Sequence, residues 1–273
     1  MIRKLIRLTI LAFIIFVIYG LYTGKYNVFK KYFTSSPLLK ENKVLYDDGE
    51  KNIDSLNVTL SYTNLIIKES NEFKIETNNK HVKLDKKDNS IKITEEKINI
   101  SINTKDSNLI LYIPNDKIFN ELNLTAGAGY IEIANINSKK INLKQGAGKI
   151  NINKITILDD AKITGGAGTL EIEDGDIYNL NFAMGAGKSS IASLFKGNNK
   201  ISAGVGELNI RLLSDINDYK IKIKKGLGNI YVDNEKVSDS YENGQGPVSL
   251  NIEGGVGNLY LETKWYYYFV FLW

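Results

Sequence analysis

Several short stretches of this chain carry residue types that do chemistry in other proteins. In MGAGKSS, residues 184–190, Gly187, Lys188 and Ser189 match the end of the G-x-x-x-x-G-K-[ST] loop, which cradles nucleotide phosphates with backbone N–H groups. The place of that loop's first glycine is taken by Phe182, and the flanks do not read as a buried strand feeding a long amphipathic helix, so no nucleotide site is expected. GGAGTL at Gly165 and GGVGNL at Gly254 approach the G-G-x-G-x-D calcium roll. Leu170 and Leu259 stand where that roll needs a hard carboxylate ligand. EDGD, residues 173–176, reads as a solvated acidic turn.

Catalytic groups are equally thin. The single histidine, His81, sits in a strand-like stretch and reads as an ordinary strand or surface residue. Glycan-cleaving β-helices need carboxylates or bases converging on one concave face. Glu132, Glu171, Glu173, Glu207 and Asp233 are instead scattered over alternating, outward-facing positions. The chain has no cysteine, which excludes disulfides and thiolate metal sites. No catalytic residue, metal or cofactor is expected.

The elements that would carry these residues are β-strands. Among 273 residues, 43% are hydrophobic and only three are proline, enough for a sizeable core. From about Leu45, the segments SLNVTLSYTNLIIKES, EFKIETNN, HVKLDKKDNSIKITEE, KINISIN and NLILYIP alternate apolar and polar residues at period two, the pattern of strands with one buried face. Residues 45–125 are therefore read as an N-terminal β part.

Residues 126–263 repeat. Gly-x-Gly recurs at Gly127/Gly129, Gly146/Gly148, Gly166/Gly168, Gly185/Gly187, Gly204/Gly206, Gly226/Gly228 and Gly255/Gly257, at intervals of 19, 20, 19, 19, 22 and 29 residues. Three residues before each of the first six pairs sit Leu124, Leu143, Ile163, Phe182, Ile201 and Ile223. Two and four residues after the second glycine come pairs such as Ile131/Ile133, Ile150/Ile152, Leu170/Ile172 and Leu208/Ile210. A unit of this size cannot close a core alone, but stacked units bury a continuous apolar column, which predicts a single-stranded β-solenoid of 19–20-residue repeats. The fourteen glycines are read as structural corners, placed where a Cβ would be opposed by the backbone conformation or by a neighbouring coil. In the fourth repeat Ser189 and Ser190 replace apolar residues, and a local bulge or loop is expected there.

The N-terminus points to a membrane. After Arg3, Lys4 and Arg7, residues 8–24 are an uncharged, apolar run long enough to span the hydrocarbon core with help from its flanks. The small-x-small signature of a cleaved signal peptide is missing, because Tyr19, Leu21 and Tyr22 crowd the end of the run. Residues 1–32 are thus expected to form a basic start and a transmembrane signal anchor that places the bulk of the chain outside the cytoplasm, followed by a polar linker over 33–44. The first 31 residues hold six of the 35 basic residues and no acid, so the remainder carries 29 bases against 31 acids, net −2. The overall +4 belongs to the membrane flank, and no basic stripe suggests nucleic acid. Three readings fit the aromatic tail KWYYYFVFLW, residues 264–273: a capping last strand, a membrane-interface contact, or a truncated or frame-shifted end.

The succession LILYIPNDKIFNELNLTAGAGYIEIANINSKKINLKQGAGKINI, residues 109–152, resembles the bacterial putative-adhesin domain family. In that family a proline-containing turn leads into repeated L-x-L-x-x-G-x-G-x-I-x-I units, and the likeness extends over about residues 45–262. It implies a β-solenoid-like envelope domain, often membrane-attached, with adhesion or envelope-stress roles and no transferable catalytic residues. The expectation is a membrane-anchored, non-catalytic surface module that binds a cell-surface or cell-wall ligand, with Tyr178, Phe195, Tyr219 and Tyr241 interrupting otherwise polar returns. Two rivals are a scaffold that self-associates end to end through bare terminal coils and, more remotely, a glycan-active β-helix enzyme.

Overall fold

The structure is a computed structural model that describes residues 41–47, 52–96 and 106–263. The expected membrane segment, most of the linker, KINISIN and the aromatic tail fall outside those residues. The described chain is all β apart from one short 3-10 turn at Ile216–Asp218.

The middle of the molecule is a stack of parallel coils. The run β8 (Ile118–Thr164) winds through two glycine corners before β9 (Ala167–Tyr178), β10 (Leu180–Ala183) and β11 (Ala186–Lys196) continue the path. Gly148, Gly168 and Gly187 lie side by side in parallel register, as do Ile152, Ile172 and Ile191. Each coil has three sides. The inward alternation resets where Glu173 and Asp174 both face outward, after which Gly175 and Ile177 point in again. Leu124, Leu143, Ile163, Phe182, Ile201 and Ile223 are all fully buried, as are the Ile and Leu pairs after the corners. Burying such side chains contributes about 1.5–3 kcal/mol each, so the column holds itself together through its own axis.

The coils do not stack in chain order. β12 (Asn198–Ser202) and β13 (Val205–Leu212) would be expected to support β14 (Tyr219–Lys224) and β15 (Ile230–Val232). Instead, β12 pairs with β18 (Val248–Glu253) and β13 with β19 (Val256–Glu262), while β14 and β15 lie beyond them on their far side. The last coil is thus inserted between the two before it, which accounts for the long intervals of 22 and 29 residues.

The N-terminal strands join the same sheet. β2 (Ser55–Leu60) and β3 (Asn64–Ser70) pair in parallel with β8, and on their other side with β6 (Ser90–Glu95) and β7 (Asn108–Pro114). Both ends of the stack finish in antiparallel strands. β4 (Lys74–Thr77) pairs with β7 and β5 (Val82–Lys87) with β6, and β1 (Lys43–Asp47) adds to β4 with a register break between Val44 and Tyr46. At the far end β16 (Glu235–Val237) covers β15 and β17 (Ser240–Asn243) covers β14. These outer strands are short, charged or bulged, features that discourage edge pairing.

Two details of the repeat differ from expectation. In the fourth repeat Ser189 stays in register between Leu170 and Leu208 and is buried, so no loop forms at Ser189–Ser190. The irregularity falls between Ile191 and Ser193, because β9 carries one more residue at its Glu173–Asp174 bend than β11 carries at the matching bend. Gly129 is the second exception. At the other thirteen corner glycines an added Cβ would run into a carbonyl oxygen of a neighbouring coil, but at Gly129 the nearest atoms are the Asn64 side-chain Oδ1 at 3.0 Å and the Tyr62 carbonyl oxygen at 3.2 Å. Gly129 is thus closed less tightly than its copies, and its neighbours would have to give by only a few tenths of an ångström to admit a Cβ. Its φ of +126° is the main reason for glycine there.

Candidate functional site

The glycine corner answers the phosphate question. Ala186 donates its N–H to the Gly166 carbonyl at 2.8 Å, and Val205 does the same to Gly185, so the corner N–H groups are spent on the neighbouring coil. At Gly187, φ is +132° and an added Cβ would sit against the Gly168 carbonyl oxygen. At Gly185 the conformation is ordinary, but the Gly166 carbonyl closes the same space. Lys188 pairs with Glu207 at 2.8 Å and Ser189 points into the core. Nothing in MGAGKSS converges on an anion.

A convergent cradle exists elsewhere. The turn joining β2 to β3 occupies the corner position below Gly127 and Gly129. Ala128 donates to the Ser61 carbonyl at 2.7 Å, and Tyr130 N–H donates to Asn64 Oδ1 at 3.1 Å. The N–H groups of Ser61, Tyr62 and Thr63 point the other way, all onto Oε2 of Glu95, at 2.6, 3.0 and 3.2 Å. Thr63 Oγ1 and Asn79 Nδ2 donate to Oε1 at 2.6 and 2.8 Å. Glu95 is 7% exposed, so five donors hold a carboxylate almost shut off from water. This is an anion nest whose anion comes from the chain itself. Burial, with the Glu95 charge behind it, pushes the Tyr62 hydroxyl above its ordinary value. A lone Glu at a strand end gave no sequence signal of this role.

The other expected groups stay apart. Leu170 and Leu259 of the two roll-like stretches are buried. EDGD is no turn but part of β9, where Asp174 lies 3.8 Å from Lys154 and Asp176 lies 2.7 Å from Lys196. His81 lies in a turn, not a strand; its N–H donates to Asn79 Oδ1 at 2.9 Å. Asp233 accepts from the backbone N–H and hydroxyl of Thr263 at 2.8 and 2.6 Å. Among the described residues, no group of three or more His, Cys, Asp or Glu is placed to hold a metal ion. Of the four aromatic residues singled out, Phe195 and Tyr219 are fully buried, Tyr241 packs partly on the core and only Tyr178 is exposed. Burial raises the Tyr219 hydroxyl above its usual value, and Ser214 donates to it at 2.8 Å.

One open cleft, about 420 Å³, lies on the face that follows the glycine corners. It is lined by Lys188, Glu207, Asn209, Arg211, Tyr231 and Tyr260, among others. Tyr231 and Tyr260 are 29 residues apart, yet insertion of the last coil makes them neighbours, their rings stacked at 4.9 Å and 9°. Glu207 is held below the ordinary carboxylate range, first by the hydrogen bond from Lys188 and then by one from Asn209. Sequence reasoning missed both tyrosines, although each stands three residues after the second glycine of its repeat.

Known proteins give the frame. The fold is similar to a "putative cell adhesion protein" from Clostridium sporogenes ATCC 15579, at 19% identity over 82% of this chain and 99% of that one, with a TM-score of 0.36. It is also similar to a "putative adhesin" from Bacteroides fragilis NCTC 9343, at 12% identity over 81% and 97%, with a TM-score of 0.42. No curated protein matches the sequence. A family model described as Toastrack DUF4097 matches residues 40–246, from before β1 to just past β17 and so most of the stack described above. The chain belongs to the Toastrack DUF4097 family.

Proposed function

We propose that this chain is a non-catalytic binding module of the bacterial envelope, anchored by residues 8–24 and holding its β domain outside the cytoplasm. The observation that carries the reading is where the side chains stand. The interior is filled chiefly with aliphatic and aromatic side chains from one end to the other, and most polar residues form ladders on the outer faces. Some of their charges are paired with each other, as in Lys188–Glu207, Lys196–Asp176 and Lys140–Asp160. Such a body offers a rigid outer surface for contact. Anchoring rests on the uncharged run between basic flanks.

A scaffold growing end to end would need bare parallel coils. Antiparallel strands cover both outermost coils among the described residues, which favours the binding reading over that rival. The test is protease shaving of intact cells carrying an epitope tag after residue 263, with a cytoplasmic control protein. Loss of the tagged domain while the control survives is expected. Protection until the membrane is opened would sink the reading.

A further inference from the structure

On the cleft face one ladder of outward side chains runs Asn151, Glu171, Ser190, Asn209, Tyr260, Tyr231. Tyr231 covers one face of the Tyr260 ring. The other face looks along the ladder, where the next two side chains, Asn209 and Ser190, are short. Asn209 is also drawn aside, donating to Glu207 Oε1 at 2.9 Å. The ladder therefore drops in height just past an aromatic ring, and this step makes the cleft. The Lys188–Glu207 pair walls one side, and Arg211 and Glu262 stand on the other.

We propose that this cleft is a carbohydrate-binding site in which a sugar ring stacks on the free face of Tyr260 while Asn209, Arg211 and Glu262 take its hydroxyl groups. The inference rests on the surface-module reading and gives that module its ligand class. The π face of tyrosine carries partial negative charge and attracts the polarised C–H groups on one side of a pyranose. Amide, guanidinium and carboxylate groups together supply both the donors and the acceptors that neighbouring hydroxyls need. The volume falls in the range of small-ligand sites. Charge favours a neutral polyol: Glu171, Glu207 and Glu262 face Lys188 and Arg211, with Lys188 and Glu207 already satisfying each other. A greasy ligand would cover these charges, and a strongly charged one would meet groups of its own sign.

The test titrates the full chain calorimetrically with tetrasaccharides of N-acetylglucosamine, glucose, mannose and galactose, and with solubilised bacterial wall glycan strands. At least one probe should bind, with affinity falling about tenfold or more in Tyr260→Ala and in Arg211→Ala and holding in Tyr178→Ala. Arg211 is exposed, so its variant reports on the site even if Tyr260→Ala disturbs folding. Unchanged affinity in Arg211→Ala and a folded Tyr260→Ala would place the sugar elsewhere and overturn the proposal, leaving the surface module intact. No binding by a domain that shaving places outside the cell would also overturn the ligand class alone. No binding by a domain protected from shaving would remove both readings.

Discussion

One edge of the column is turned by two different devices. At Gly185–Gly187 the chain bends because two residues lack side chains, and the N–H between them is met by a carbonyl of the coil below. At Ser61–Thr63 the residues have side chains, and a carboxylate from the next strand meets three N–H groups at once. Inside the stack every corner has an identical corner beneath it, so backbone satisfies backbone and bulk must be absent. Toward the β6 end that repetition stops, and Glu95 supplies the missing acceptors. The difference teaches that a repeat needs glycine for the approach of its copies, and that the turn beyond its first copy needs an acceptor of another kind.

Substitutions can break either device. Gly206 has a φ of +130° and faces the Gly187 carbonyl, so Gly206→Ala is expected to lose about 3 kcal/mol or more in urea unfolding. Gly165, beside a corner but with its nearest atoms, the Ala183 carbonyl oxygen and the Gly185 nitrogen, no closer than 3.9 Å to an added Cβ, should accept alanine within about 0.5 kcal/mol. Equal effects at the two sites would refute the packing account. Glu95→Ala strands buried donors and should cost about 3 kcal/mol; Glu95→Gln should cost less, because its amide oxygen can still accept from the three N–H groups while its NH2 opposes Asn79 Nδ2.

Ser193 sharpens the contrast from the opposite side. Its hydroxyl is buried with no hydrogen-bond partner among the described residues, so Ser193→Ala is expected to raise stability by up to about 1 kcal/mol, and a loss of that size would reveal a partner. The smallest effect concerns an ordinary ion pair. Glu76 is held below the usual 4.5, first by the hydrogen bond from Lys74 at 2.6 Å. Because its folded value is lowered, the stability it adds is present above pH 4.5 and fades as pH falls through the folded value. The gap between wild type and Glu76→Gln, a few tenths of a kcal/mol, should therefore close in acid; a gap that widened would contradict the pairing.

Much of the fold was legible from two periods in the sequence. Residues at Leu124, Ile163 or Ile201 are buried because alternation assigns a face and the glycine pair marks where each coil turns. Coil order was not legible, since an interval of 29 residues reports how long a connection is and not which neighbour it returns to. Nor could the spacing tell Gly129 from its copies, because the residue that distinguishes it, Asn64, opens a strand outside the repeat. The site suffered most from such distances. Tyr231 and Tyr260 become a stacked pair only through the inserted coil, and Glu95 acts on a turn more than thirty residues away. Phe195 and Tyr219, by contrast, sit inside the column because the inward phase at the bends takes large rings as readily as Ile.

The inserted coil also bears on how the protein is made. A chain that folds as it emerges, N-terminal end first, can lay down its corners in order as far as Gly206, but the proper neighbours of β14 and β15 have still to follow when those strands emerge. If they docked at once on β12 and β13, they would occupy the berth of β18 and β19 and have to let go. Correct assembly therefore waits until residue 262 has emerged, which makes this end of the stack close like a drawer rather than a zipper. Once closed, the outermost coil has chain leaving it in both directions, and it cannot fray from a free end.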